Sequence, residues 1–249
     1  MKKNILFLVF CFAMMSTNAQ TQFFSTVKIE FEKTVTTRAL YKELFPEWYE
    51  EWKDHIPQTT LSYFDFISDS VHSIYKPGRD VTASPGMFDF FTLANKNTVY
   101  TDYQKNTSIS QKPIYEETFL VEDSLLNIKW KITSDTRNIA GFECRKAVGI
   151  LFDTVAVFAF YTDELMVSGG PEGIHGLPGM ILGMGIPRLH ATWFATKVQV
   201  VDVPTAKIQP EKKGKKLNRK DMLESLDKVL KNWEDWKTFG KKLVLATQI

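Results

Sequence analysis

The sequence predicts an α+β fold in which a mainly antiparallel, curved β-sheet carries a C-terminal helix packed on it. Two observations support this class. Long stretches alternate apolar with polar residues, as strands with one buried face do. One segment in the last third of the chain has the periodicity of an amphipathic helix. The length of 249 residues suits one domain with a substantial core.

The first strand is predicted within Ser25–Thr37, where apolar and charged residues alternate. A helical segment follows, because leucines and then tryptophans recur every four residues from Leu40 to Trp52. Pro46 interrupts this pattern and is expected to begin a second helical piece, since proline is tolerated in the first turn of a helix.

Most of the central chain is predicted to form strands, because it is rich in aromatic and β-branched residues separated by Gly, Pro, Asn and Asp. The predicted strands are Thr59–Ile67, Ser70–Lys76, Thr98–Tyr103, Ile114–Val121, Asn127–Thr133, Phe142–Leu151, Val155–Thr162, Met180–Leu182 and Ala191–Val203. Their two-faced pattern indicates an antiparallel sheet with one buried face.

Residues 1–19 are predicted to be a cleavable signal peptide, because Lys2 and Lys3 precede an apolar run and then small polar residues. The run has about a dozen residues, too few to cross a hydrocarbon core of ~30 Å as a helix. Residues 20–249 are therefore expected to be a single domain that is periplasmic or secreted. We expect no transmembrane span in the mature chain.

A basic linker is predicted near residues 207–217, where lysines cluster, and a patch for anionic lipid or polysaccharide is the alternative. A helix is predicted near residues 218–237. Asn218 can cap its first turn, with Asp221 three residues later.

Charge and cysteine content exclude some classes of protein. Loss of Lys2 and Lys3 with the signal peptide would reduce the formal net charge from +2 to near zero, which disfavours nucleic-acid binding. Of the two cysteines, Cys144 alone lies outside the predicted signal peptide. It cannot form an intrachain disulfide in the mature chain and is expected to be buried.

Seven of the 13 glycines fall between Gly169 and Gly185. Together with two prolines they predict a loop of defined shape, since glycine permits positive φ and proline fixes φ. The segment Gly176–Ile181 resembles the signature of the GLPGLI family of exported bacterial proteins, with methionine in place of a leucine. Residues 139–147 and 160–171 are similar to further segments of that family. The resemblance implies export but no activity.

The Gly/Pro loop is the predicted ligand-binding loop, with an unknown small apolar ligand or an envelope protein as its partner. We expect it to form the rim of an apolar groove lined by aromatic side chains. The loop residues are Gly170, Pro171, His175, Gly176, Leu177, Pro178, Gly179 and Met180, and the groove residues are Phe158, Phe160, Trp193 and Phe194.

A noncatalytic binding or envelope-associated role is the leading prediction, because G-x-S-x-G, H-E-x-x-H and phosphate-loop signatures are absent from the sequence. Two alternatives stay open. A hydrolase could use a carboxylate pair from the acids beside the loop, which are Asp163, Glu164 and Glu172. A copper site could use soft ligands, which are His175, Met180, Met184 and Cys144.

Overall fold

The fold is taken from a computed structural model that describes residues 26–81, 94–114, 116–200, 208–230 and 237–249. The predicted signal peptide, residues 1–19, lies outside these ranges. Within them, every helix is too short or too polar to cross a bilayer.

Twelve strands account for most of the regular structure in the described ranges. They are β1 Thr26–Val35, β2 Thr60–Asp69, β3 His72–Pro77, β4 Thr98–Asp102, β5 Thr107–Ile114, β6 Glu117–Ser124, β7 Lys131–Ile139, β8 Phe142–Leu151, β9 Val155–Thr162, β10 Met180–Ile186, β11 Ala191–Val200 and β12 Lys215–Leu217. They form one sheet in the order β12-β6-β5-β4-β3-β2-β1-β11-β10-β9-β8-β7. The pairs are antiparallel apart from β12, which runs parallel to β6.

Four α-helices lie in the described part of the chain, namely α1 Thr37–Leu44, α2 Pro46–Trp52, α3 Arg219–Leu230 and α4 Lys237–Gln248. The predicted break is confirmed, because Pro46 is the first residue of α2. The predicted cap of α3 is also confirmed, since the Asp221 backbone N–H donates to Asn218 Oδ1 at 2.8 Å. The sequence did not predict α4.

The predicted α+β class is wrong. The protein has a sandwich-like β fold with few helices, built on a mixed sheet that does not close. The prediction missed β7 because nearly all of its residues are exposed, which leaves no apolar alternation to recognise. The strand predicted at Asn127–Thr133 lies mostly before β7, in a segment that packs against the core without pairing.

The main core covers one face of the sheet, called the inner face here. The β1 residues in this core are Val27, Ile29 and Phe31, which alternate along the strand and are all at most 1% exposed. The α4 residues Phe239 and Leu243 pack into the same core. Most of the inner face is therefore covered by the chain's own side chains. The opposite face is called the outer face.

The sheet curls at its β7 edge. Ile139, at the end of β7, is 5% exposed although the rest of that strand is mostly exposed. Its Cδ1 lies beside Gly183 of β10, where the Phe194 ring also approaches. The β7 end thus folds over the outer face of β10 and β11 and gives the single sheet its sandwich-like shape.

Candidate functional site

The Gly/Pro loop is packed against the end of the sheet. Gly179 has φ +152°, and a Cβ at this position would collide with the Thr162 carbonyl oxygen. Gly169 has φ +133°, and a Cβ there would collide with the Tyr103 hydroxyl. These glycines are required by close approach and by backbone conformation, which is sufficient reason for their presence.

The predicted loop residues differ in burial, and Gly179 is half-buried. Gly170, Pro171, Leu177 and Met180 are buried, Gly176 and Pro178 are exposed, and His175 is half-buried. The His175 carbonyl accepts a hydrogen bond from Trp130 Nε1 at 2.9 Å, and burial lowers the pKa of the imidazole. Ligand binding by this loop stays a prediction.

The predicted copper ligands occupy different surroundings. Met180 and Met184 are fully buried in β10, and Cys144 is fully buried in β8. Within the described ranges, no three His, Cys, Asp or Glu side chains are grouped as a metal site requires. Copper binding by His175, Met180, Met184 and Cys144 stays a prediction.

We expect Cys144 to resist alkylation in the folded protein. Burial raises the pKa of its thiol to about 11, so only about one thiol in a thousand is ionised at pH 8. Iodoacetamide at pH 8 should leave it unmodified for hours, and unfolding in guanidinium should expose it within minutes. A Cys144→Ser variant gives the background. Native labelling as fast as that of the unfolded chain would contradict the burial.

The predicted single aromatic groove is wrong. Trp193 and Phe194 are neighbours in β11, and adjacent strand residues point to opposite faces. Trp193 is 1% exposed and lies in the core on the inner face. Phe194 lies on the outer face with Phe158 and Phe160, at ring-centroid distances of 6.2 Å for Phe158 and Phe160 and 6.4 Å for Phe160 and Phe194.

A buried charged cluster lies on the inner face and was not predicted. Lys33 and Lys112 are each 3% exposed, and Glu172 is 4% exposed. Burial lowers the pKa of both lysines to about 8, and the Glu172 carboxylate opposes this shift. Asn97 Nδ2 donates to Glu172 Oε2 at 3.2 Å, whereas Glu172 Oε1 has no hydrogen-bond partner among the described residues.

Two small clefts adjoin Glu172, one beside Lys33 and the other beside Lys112. Each cleft has room for about two water molecules. A sugar ring does not fit. The inner cluster can therefore hold ordered water but not an oligosaccharide.

The three acids proposed for hydrolysis do not share one environment. Asp163 is exposed and paired with Arg145 Nη2 at 2.7 Å. Glu164 is exposed and accepts the Glu143 backbone N–H at 3.2 Å, whereas Glu172 is buried.

A cross-strand row of aromatic and acidic side chains crosses the outer face. Register places Phe160 of β9 opposite Gly183 of β10, and Gly183 opposite Phe194 of β11. The same row continues to Glu32 of β1 and Tyr63 of β2. Since neighbouring strands are about 4.8 Å apart, the row is about 19 Å long. Gly183 is needed within it because a Cβ would meet the Phe194 ring at 2.7 Å.

Two arginines stack on aromatic rings of this row, Arg137 at its centre over Phe194 and Arg79 at its Tyr63 end. The Arg137 guanidinium carbon lies 4.5 Å from the Phe194 ring centroid. The Arg79 guanidinium carbon lies 3.3 Å from the Tyr63 ring centroid. Stacking fixes the planar guanidinium groups, so their N–H donors are already oriented for a ligand.

Acceptors lie between the two arginines. Glu32 Oε2 accepts from the Tyr63 hydroxyl at 2.8 Å. Glu30, two residues earlier on the same face, accepts from Thr196 Oγ1 at 2.7 Å and from Arg79 Nε at 3.2 Å. The Thr196 hydrogen bond and the Arg79 charge lower the pKa of the Glu30 carboxyl. Glu30 is thus an acceptor at neutral pH.

We call this set the outer row; its members are Phe160, Phe194, Glu32, Tyr63, Arg137, Arg79 and Glu30. Its two arginines and two glutamates balance in charge. An electrically neutral surface with fixed donors, fixed acceptors and aromatic rings suits a neutral ligand with many hydroxyl groups. It offers little to a phosphate backbone, which needs excess positive charge.

The fold and the outer row together define a sandwich-like β domain with a polar, aromatic outer face. The family model described as "N-glycanase peptide, N-terminal domain" matches residues 89–227, which is more than half of the chain. The chain therefore belongs to this family of N-terminal domains. No curated protein matches the chain.

Solved structures of PNGF-II have a similar fold. The structure in space group C2 superposes with a TM-score of 0.51 at 16% identity, over 79% of this chain and 32% of that one. The structure in space group P21 gives the same score and identity over 80% of this chain and 33% of that one. The chain thus spans about a third of the length of the PNGF-II chains.

The predicted membership in the GLPGLI family is wrong, because the matching family model is that of the N-glycanase N-terminal domain. The resemblance rested on residues 139–147 and 160–171 and on the signature segment Gly176–Ile181. Its glycines are explained by local packing, such as that of Gly179 against Thr162. A short run of glycine and proline therefore indicates a local backbone conformation and is weak evidence of family membership.

Proposed function

We propose that this chain is a noncatalytic glycan-binding domain that holds N-linked oligosaccharide on the outer row. The observation that carries the proposal is the outer row itself, in a chain that belongs to a family of N-glycanase N-terminal domains. A carbohydrate replaces the small apolar ligand predicted from the sequence. The domain acts outside the cytoplasm, as the predicted signal peptide implies.

The chemistry of the outer row supports a sugar ligand. Each sugar hydroxyl both donates and accepts a hydrogen bond, and carboxylates and guanidinium groups supply both partners. The C–H faces of a pyranose pack on aromatic rings, which Phe160 provides as a partly exposed side chain, whereas Arg79 already occupies one face of the Tyr63 ring. Because the row is held by strand pairing, little conformational freedom is lost on binding.

We expect the double substitution Arg79→Ala with Arg137→Ala to weaken binding of an N-glycopeptide by at least about tenfold, since each arginine supplies oriented donors of the kind found at binding hot spots. Isothermal titration with a peptide carrying a single N-linked oligosaccharide, compared with the same peptide without it, measures the effect. Both arginines are exposed, so the double variant should still fold.

Arg145→Ala is the matched control. The Arg145 side chain is 54% exposed and paired with Asp163, just as the Arg79 side chain is 54% exposed and paired with Glu30. The control should bind the glycopeptide as the wild type does. Equal loss in the control, or undiminished binding by the double variant, would remove the outer row as the glycan site.

A further inference from the structure

The helix α2 exposes aromatic side chains to an unusual degree. None of its seven residues, all in the described part of the chain, is buried. Trp48 is 61% exposed and Trp52 is 42% exposed. Large exposed aromatic surfaces mark contact sites in soluble proteins, because folding alone gives no reason to leave them in water.

The exposure follows from the sequence of the two helices. Leu40 and Leu44 of α1 pack into the core. Pro46 then ends the first helix and starts the second in a new direction. Trp48 and Trp52 continue the four-residue spacing, but because the helix direction has changed they point away from the core and face solvent. Phe45 stacks on Trp48 at a centroid distance of 6.2 Å and supports that ring from the core side.

The charges around the tryptophans are mostly acidic, although Lys42 Nζ of α1 lies 5.9 Å from the ring centroid of Tyr49 in α2. Glu47, Glu50 and Glu51 belong to α2 and are exposed. Lys53, which follows the helix, already pairs with Glu50 at 2.7 Å. An acidic patch is repelled by anionic lipid headgroups. In a symmetric dimer it would also face its own copy, which opposes self-association. Carboxylates beside tryptophan rings instead provide acceptors for hydroxyl groups and flat faces for sugar C–H groups.

We propose that Trp48 and Trp52 form a second carbohydrate-contact site, which binds a neutral part of an oligosaccharide separately from the outer row. This inference rests on the proposed function, because it assumes the same class of ligand. Tryptophan faces bind without regard to sugar sequence, and the neighbouring carboxylates orient the hydroxyls. The site would thus extend contact along a longer glycan or capture a second branch.

The test compares three proteins with the same N-glycopeptide and its glycan-free form in isothermal titration. They are the wild type, the variant Trp48→Ala with Trp52→Ala, and the control Met166→Ala, whose side chain is 67% exposed on another segment. We expect the tryptophan variant to keep its melting temperature and to lose about fivefold in affinity for the glycopeptide. The control should bind as the wild type does.

The outcomes separate the two proposals. Unchanged affinity in the tryptophan variant, with loss in the Arg79→Ala, Arg137→Ala variant, overturns the second site alone. Loss in the tryptophan variant with no loss in the arginine variant supports the α2 site and overturns the outer row. Absence of glycopeptide binding by the wild type overturns both. A tryptophan-dependent affinity for a lysine-rich peptide, for anionic vesicles or for a second copy in sedimentation, without glycan dependence, overturns the α2 site as a carbohydrate site.

Discussion

Gly179→Ala should destabilise the protein by about 4 kcal/mol, close to the upper end of single-residue effects. Two costs combine at this position. The backbone has φ +152°, a conformation that residues with a Cβ rarely adopt, and the new Cβ would collide with the Thr162 carbonyl oxygen. Backbone atoms of β9 cannot move aside as a flexible side chain could. Thermal unfolding should show a melting temperature lower by about 12 °C.

Gly141→Ala measures the cost of the backbone conformation without the cost of a collision. Gly141 has φ +92°, but no described atom lies within 4 Å of the position that its Cβ would take. The control should therefore lose only about 1 kcal/mol from the backbone conformation. Equal losses at both positions would show that the collision with Thr162 is absent and that the loop is not packed as described.

Glu172→Gln should destabilise the protein by about 3 kcal/mol near pH 6. The substitution removes the carboxylate that opposes the desolvation of Lys33 and Lys112, and removing one partner of a buried charge costs about 3–5 kcal/mol. Lys112 Nζ keeps its hydrogen bond to the Ile249 carbonyl oxygen at 2.8 Å and Lys33 Nζ keeps its bond to the Ala94 carbonyl oxygen at 3.3 Å, which places the loss at the lower end of that range. Urea denaturation at fixed pH measures the loss. Glu164→Gln, at an exposed acid beside the same loop, is the control and should change stability by less than about 0.5 kcal/mol.

The pH dependence of this loss has a definite sign. In the wild type both lysines have a pKa of about 8, and the Glu172 carboxylate keeps these values from falling further. Without it the lysines release their protons at a lower pH. Between the two sets of pKa values these lysines bind more protons in the unfolded variant than in the folded variant. Their contribution to the variant's free energy of unfolding therefore rises with pH in this window, whereas their contribution in the wild type does not.

The deficit of Glu172→Gln should therefore be largest near pH 6 and should shrink as the pH approaches 8. The Glu164→Gln control should show a constant, small difference across this range. A deficit that grows with pH, or does not change with it, would contradict the coupling between Glu172 and the two lysines.

Local patterns predicted several elements well. Phe142–Leu151 and Val155–Thr162 were predicted as strands and are β8 and β9, because alternation is strong in both. Pro46 and Asn218 predicted helix starts correctly, since the effects of proline and of a capping side chain act within a single turn. Such signals depend only on neighbouring residues.

The candidate site required information that local patterns lack. Glu32 and Phe194 meet because β1 pairs with β11 in a particular register, and one residue of slip would separate them. The buried lysine on β1 did leave a signal, because Lys33 falls on the same side of the alternation as Phe31 and Val35. Lysine among core positions indicated a buried charge, but not its partner Glu172, which approaches from a distant loop.

The most direct test of glycan binding on the outer row is an NMR titration of the wild-type protein with the N-glycopeptide, using the glycan-free peptide as the reference. Glycan-dependent shifts should include the backbone amides of Phe160, Phe194, Glu32 and Tyr63. Shifts confined to the loop around Gly176, or the same shifts with the glycan-free peptide, would contradict the account.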